Sequence, residues 1–99
     1  KQSIPVTLRT LISQNYPNPF NPTTEIKYYL PENSFVDIWV YDILGNVVVN
    51  LLTKNQNSGS KKIHWDATNN QGQKVSAGVY LYTIQANKLS HTKKMILMK

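Results

Sequence analysis

Residues 25–52 read EIKYYLPENSFVDIWVYDILGNVVVNLL, and their pattern decides the fold. Ile26, Tyr28 and Leu30 alternate with Glu25, Lys27 and Tyr29, the period of a strand with one face buried. Pro31-Glu32-Asn33-Ser34 breaks the run with turn formers. Residues 35–41 resume the alternation and put Val36, Ile38 and Val40 on one face. Asp42-Ile43-Leu44-Gly45 suits a type I turn closed by Gly45 in the left-handed region, and residues 46–52 return as a β-branched strand. The spacing therefore predicts a hairpin between residues 35–41 and 46–52.

The same signature continues downstream. Residues 54–60 read as a polar loop, residues 61–66 as a strand with Ile63 and Trp65 inward, and residues 66–78 as the longest irregular stretch. Residues 79–86 carry Tyr80, Tyr82 and Ile84 on one face, residues 87–90 turn the chain back, and residues 91–98 run out as the last strand. Upstream, residues 8–14 suit one further strand, and residues 1–7, with Pro5, read as the tail of a linker. No segment longer than ten residues holds a helical period. Six or seven short strands in 99 residues predict an antiparallel β-sandwich.

Composition narrows the function. Eleven Lys and Arg against five Asp and Glu give a formal charge of +6. Four of the cations, Lys88, Lys93, Lys94 and Lys99, fall at the C-terminal end, and Arg9 is the single arginine, which argues against nucleic-acid readout. The absence of Cys rules out a disulfide scaffold, a thiolate nucleophile and a zinc ribbon. Five carboxylates and two histidines leave little for acid-base chemistry, so a non-enzyme is expected. Residues 1–10 contain no apolar signal-peptide core, and the chain stops just after its last strand, as the final module of a longer protein would.

Several constellations have both a structural and a functional reading. Pro17, Pro19 and Pro22, with Asn18, Phe20 and Asn21, fix φ and favour extended geometry before each proline, which predicts a rigid corner with Phe20 plugging the core. Residues 66–72, DATNNQG, carry one carboxylate and their glycine in the seventh place, so an Asx-turn fits better than a calcium loop. His64 and His91, each near lysines, read as surface strand residues without an orienting carboxylate. Asp37 and Asp42 flank Trp39 and Tyr41, but a sandwich this small has no cleft for paired-carboxylate hydrolysis. Tyr29 and Trp39 point outward from strands read as neighbours, where a crossing loop or a preceding domain would cover them or, as the second reading, they form a surface patch suited to stacking on a polysaccharide or to self-association.

In order along the chain stand NYPNPFNPTT at residues 15–24, Val40-Tyr41-Asp42 with Gly45, Trp65-Asp66, Gly78-Val79-Tyr80, and KKMILMK at residues 93–99. Over residues 8–99 this resembles the C-terminal sorting domain, type A, of proteins exported by the type IX secretion system. It is also similar to the immunoglobulin-like domain of the flagellar hook-capping protein. The sequence departs from the pattern at Asp66-Ala67, where many relatives have Asp-Gly, and at Tyr29 and Trp39, where polar residues are usual.

The resemblance implies an immunoglobulin-like sandwich of about seven strands, without catalytic residues, cofactor or metal. It implies a folded address attached to an N-terminal cargo domain, recognised by the outer-membrane translocon and its shuttle proteins. A sortase-like peptidase can then cut the linker. The address would pass through the periplasm to the cell surface or beyond. Gly78, Tyr80, Lys93, Lys94, Met95, Ile96, Leu97 and Lys99 are the residues expected to carry recognition. Gly78 would permit the bend into its strand, Tyr80 would anchor that strand, the apolar trio would dock, and the lysines would orient the approach.

Overall fold

A computed structural model describes residues 11–98 as two packed antiparallel sheets. The strands are β1 (Leu11–Ile12), β2 (Thr24–Leu30), β3 (Ser34–Asp42), β4 (Val47–Gln56), β5 (Gly59–Trp65), β6 (Gly78–Ala86) and β7 (Leu89–Leu97). One sheet has the order β1-β2-β5 and the other β4-β3-β6-β7. Residues 8–10 of the predicted first strand, the predicted linker at residues 1–7, and Lys99 lie outside the described residues.

The alternating triplets behave as their period demands. Ile26, Tyr28 and Leu30 of one sheet face Val36, Ile38, Val40, Tyr82 and Ile84 of the other, and all are buried. At one end the core is aromatic. Phe20 lies against Trp65 at 5.7 Å between ring centroids, and Trp65 meets Tyr80 edge-on at 5.4 Å. Each such pair contributes about 0.5–1.5 kcal/mol beyond the area it buries. The Trp65 indole N–H donates to the Thr68 carbonyl at 2.9 Å, which ties the irregular stretch to the core. Ala67 sits buried at φ +65°, a conformation that glycine reaches without a Cβ penalty.

The β3–β4 hairpin forms as expected, with Gly45 at φ +89° and its N–H donating to the Asp42 carbonyl at 3.0 Å. The polar-loop reading of residues 54–60 is corrected: β4 runs to Gln56 and β5 begins at Gly59, so only Asn57 and Ser58 lie outside the strands. Two register shifts explain why β4 breaks alternation. Opposite Ile38/Trp39 and Val40/Tyr41 the ladder skips Leu51 and Val48, and both skipped residues pack on the core. Asn50 stitches this stretch by donating from Nδ2 to the Ile38 and Leu52 carbonyls and to Asp37 Oδ1.

Candidate functional site

The last strand is an edge. Among the strands of the described residues, β7 pairs with β6 alone, from Gly78↔Leu97 to Ala86↔Leu89. Its side chains alternate, with Met95 at 0% and Leu97 at 5% exposure in the core, and Ile96 at 37% and Met98 at 53% facing out. Lys94 is exposed on the outward face, and Lys93 is half-buried on the inner one. The expected docking of Met95, Ile96 and Leu97 as one apolar trio is therefore corrected, because strand geometry sends neighbours to opposite faces. In the folded domain the accessible set is Lys94, Ile96 and Met98. Met98 was missed, although the same period places it beside Ile96.

Gly78 opens β6 at φ +154° opposite Leu97, and Tyr80 is buried with its hydroxyl donating to the Ser76 carbonyl at 2.6 Å. Desolvation raises the Tyr80 phenol above its ordinary range, and the Asp42 charge adds to this.

The proline segment, Pro17 to Pro22, lies against β7. Phe20 forms a parallel bridge with Leu97: its N–H donates to the Ile96 carbonyl at 3.0 Å, and the Met98 N–H donates to its carbonyl at 2.8 Å. Asn18 Oδ1 accepts from the Ile96 N–H at 2.9 Å, while Pro19 and Asn21 are exposed. Phe20 is 2% exposed, as a core plug should be. Asn15 is buried, and its Nδ2 donates to the Pro17 carbonyl and to Thr24 Oγ1. The Tyr82 hydroxyl donates to the Ser13 carbonyl at 2.9 Å and accepts from the Asn15 N–H at 2.8 Å, where the chain leaves β1 for the opposite sheet.

Tyr29 and Trp39 do not form one patch. β2 and β3 are consecutive in the chain but belong to different sheets, so residues pointing away from the core on each lie on opposite outer faces. Both side chains are half-buried. Tyr29 lines a shallow cavity of about 270 Å³ with Ile12, Ser13, Lys27 and Lys61. Asp37 on the Trp39 face bonds Thr53 Oγ1 at 2.6 Å. Partial desolvation pushes its carboxyl up, but hydrogen bonds from Thr53, Trp39 and Asn50 outweigh this and leave it below the usual range.

The remaining constellations resolve into structure. Asp42 is held low first by the backbone and side-chain hydrogen bonds of Asn46, then by the Leu44 and Gly45 backbone, against a small desolvation. The turn in the irregular stretch belongs to Asn69, whose Oδ1 accepts from the Gln71 and Gln73 N–H groups, while Asp66 bonds Thr68. No three His, Cys, Asp or Glu side chains converge among the described residues. His64 gains the carboxylate that sequence reading did not give it: Glu25 lies opposite in the ladder, with Oε2 at 3.2 Å from His64 and 3.8 Å from Lys62. His91 is corrected from surface to half-buried, and its Nε2 is enclosed without a hydrogen-bond partner among the described residues.

Residues 18–90 match the family model of the FlgD Ig-like domain. No curated protein matches the sequence at a significant level. Among solved structures, dimeric latent PorU from Porphyromonas gingivalis aligns at 23% identity over 91% of this chain and 9% of its own, with a TM-score of 0.73. PorZ from the same organism, described as an essential bacterial surface component of the type IX secretion system, aligns at 18% identity, over 91% of this chain and 11% of its own, with a TM-score of 0.56. FlgD from Xanthomonas campestris, described in connection with hook capping in flagellar assembly, aligns at 18% identity, over 90% of this chain and 67% of its own, with a TM-score of 0.62. At these identities the likeness establishes a shared fold. The chain spans about a tenth of the PorU and PorZ chains.

Proposed function

The chain belongs to the FlgD Ig-like domain family, and from that premise we propose that it is a non-catalytic address domain that directs an attached cargo across the outer membrane by type IX secretion. The observation that carries this reading is the edge position of β7, with Lys94, Ile96 and Met98 turned outward. An apolar pair beside a lysine on the outer face of the terminal strand is a surface a second protein can grip, and the local positive charge steers that approach. The ordered motifs of residues 15–24, 65–66, 78–80 and 93–99 support the same reading, as does the likeness to a surface component of that secretion system. The partners are the outer-membrane translocon and its shuttle, with a sortase-like peptidase acting on the linker. The destination is the cell surface or the medium.

Deleting residues 93–99 would remove Met95 and Leu97 from the core, so a loss of export after that deletion would report unfolding as much as recognition. A surface variant separates the two. Lys94→Glu combined with Ile96→Asp, in a reporter fused to residues 1–99 and expressed in a bacterium with type IX secretion, is expected to hold the reporter in the periplasm. The purified variant should keep the thermal unfolding midpoint of the parent within a few degrees, because both sites are exposed. Export of this variant at the parental level would end the proposal.

A further inference from the structure

The outer edge of β7 is closed along half its length. Besides the bonds from Asn18 and Phe20 at Ile96 and Met98, Gln14 Nε2 donates to the Lys94 carbonyl at 2.7 Å. In an antiparallel strand every second residue turns its N–H and C=O to the same side. Lys94, Ile96 and Met98 face outward in this way, so the Ser90 and Thr92 backbones do too. Among the described residues those groups have no hydrogen-bond partner.

The closure is firm. Pro17, Pro19 and Pro22 stiffen the segment, and Phe20 and Asn15 are buried in and beside the core. Peeling the segment away would draw Phe20 off Trp65. We infer that the proline segment is a clamp that limits strand addition on β7 to residues 89–93, and that this open half receives a short extended peptide carrying carboxylates. Lys88, Lys93 and Lys94 flank the open half along the chain, no Asp or Glu lies between Asp66 and the end of the chain, and against these three cations stands Glu32, whose carboxylate accepts from Asn87 Nδ2 at 3.3 Å at the β6–β7 turn. The same cations disfavour a second copy of the domain. Antiparallel pairing of two such edges, centred on His91, would set Lys88 of one copy against Lys94 of the other.

The inference rests on the export reading for the partner's place in the cell, and on the edge geometry for everything else. Its test uses the purified domain and two labelled eight-residue peptides, one alternating Glu and Val and one alternating Lys and Val. The Glu peptide should bind, more weakly as salt rises, and should slow amide exchange at Ser90 and Thr92. Ile96 and Met98 amides should be slow already in the free domain, and Asn18→Ala should speed exchange at Ile96. Ser90→Pro and Thr92→Pro each remove one outward N–H and leave the backbone bonds to β6, although Thr92→Pro also loses the 2.9 Å hydroxyl bond to Thr83, so each should weaken the peptide by about tenfold or more in a domain that still folds. Equal binding of both peptides, undiminished binding to the folded proline variants, or protection centred on Ile96 and Met98 would overturn the inference. Binding at Ser90 and Thr92 together with normal export of a Thr92→Pro reporter would keep the docking edge and count against its use in export.

Discussion

The Tyr82 phenol shows how one atom organises a crossing. It donates to the Ser13 carbonyl and accepts from the Asn15 N–H, satisfying two backbone groups where the chain passes from one sheet to the other. Burial raises its pKa first, and the Asn15 bond lowers it only in part. Tyr82→Phe keeps the ring but leaves the buried Asn15 N–H without its partner, while the Ser13 carbonyl, on an exposed residue, is open to water. Leaving one such buried group unpaired costs about 1–3 kcal/mol, so the variant should lose about that much in urea unfolding. Nothing in the alternation of residues 79–86 distinguished Tyr82 from Tyr80 in this respect. Both were legible as core, but the partner of each hydroxyl depends on segments distant in sequence.

At the scale of the strand, β7 shows both what a period reveals and what it conceals. KKMIL is a lysine pair followed by three apolar residues, and grouping the three as one docking surface follows composition. Strand geometry divides them instead. Met95→Ala should therefore destabilise by about 2–5 kcal/mol, as for a filled core site, whereas Ile96→Ala should change stability by no more than about 0.5 kcal/mol. Equal effects of the two in chemical denaturation would contradict the facing found here. The same logic explains β4. Its run VVVNLL has no clean alternation because two bulges each turn an extra apolar residue inward, and bulges depend on the partner strand.

The whole molecule carries an excess of positive charge with few carboxylates to offset it. Acid should weaken it in two ways. Protonating the five carboxylates leaves the eleven Lys and Arg with no opposing side-chain charge. Asp37 and Asp42 also have folded pKa values below their ordinary 3.8, so each contributes stability that is present above that value and is lost as pH falls through the folded value. The unfolding midpoint should therefore fall below about pH 4. In the double variant Asp37→Asn, Asp42→Asn that fall should be shallower, and a parental profile in that variant would refute the assignment.

The sequence by itself determined the fold class, the triplets that make the core, the β3–β4 hairpin and the role of Phe20. Those follow from local period and turn chemistry, which act between residues close in the chain. Only the tertiary structure decided that Tyr29 and Trp39 stand on opposite faces, that Glu25 meets His64, and that the proline segment lies on the edge of β7. These are matters of which sheet a strand joins and in what register, set by packing between distant segments that no local pattern encodes.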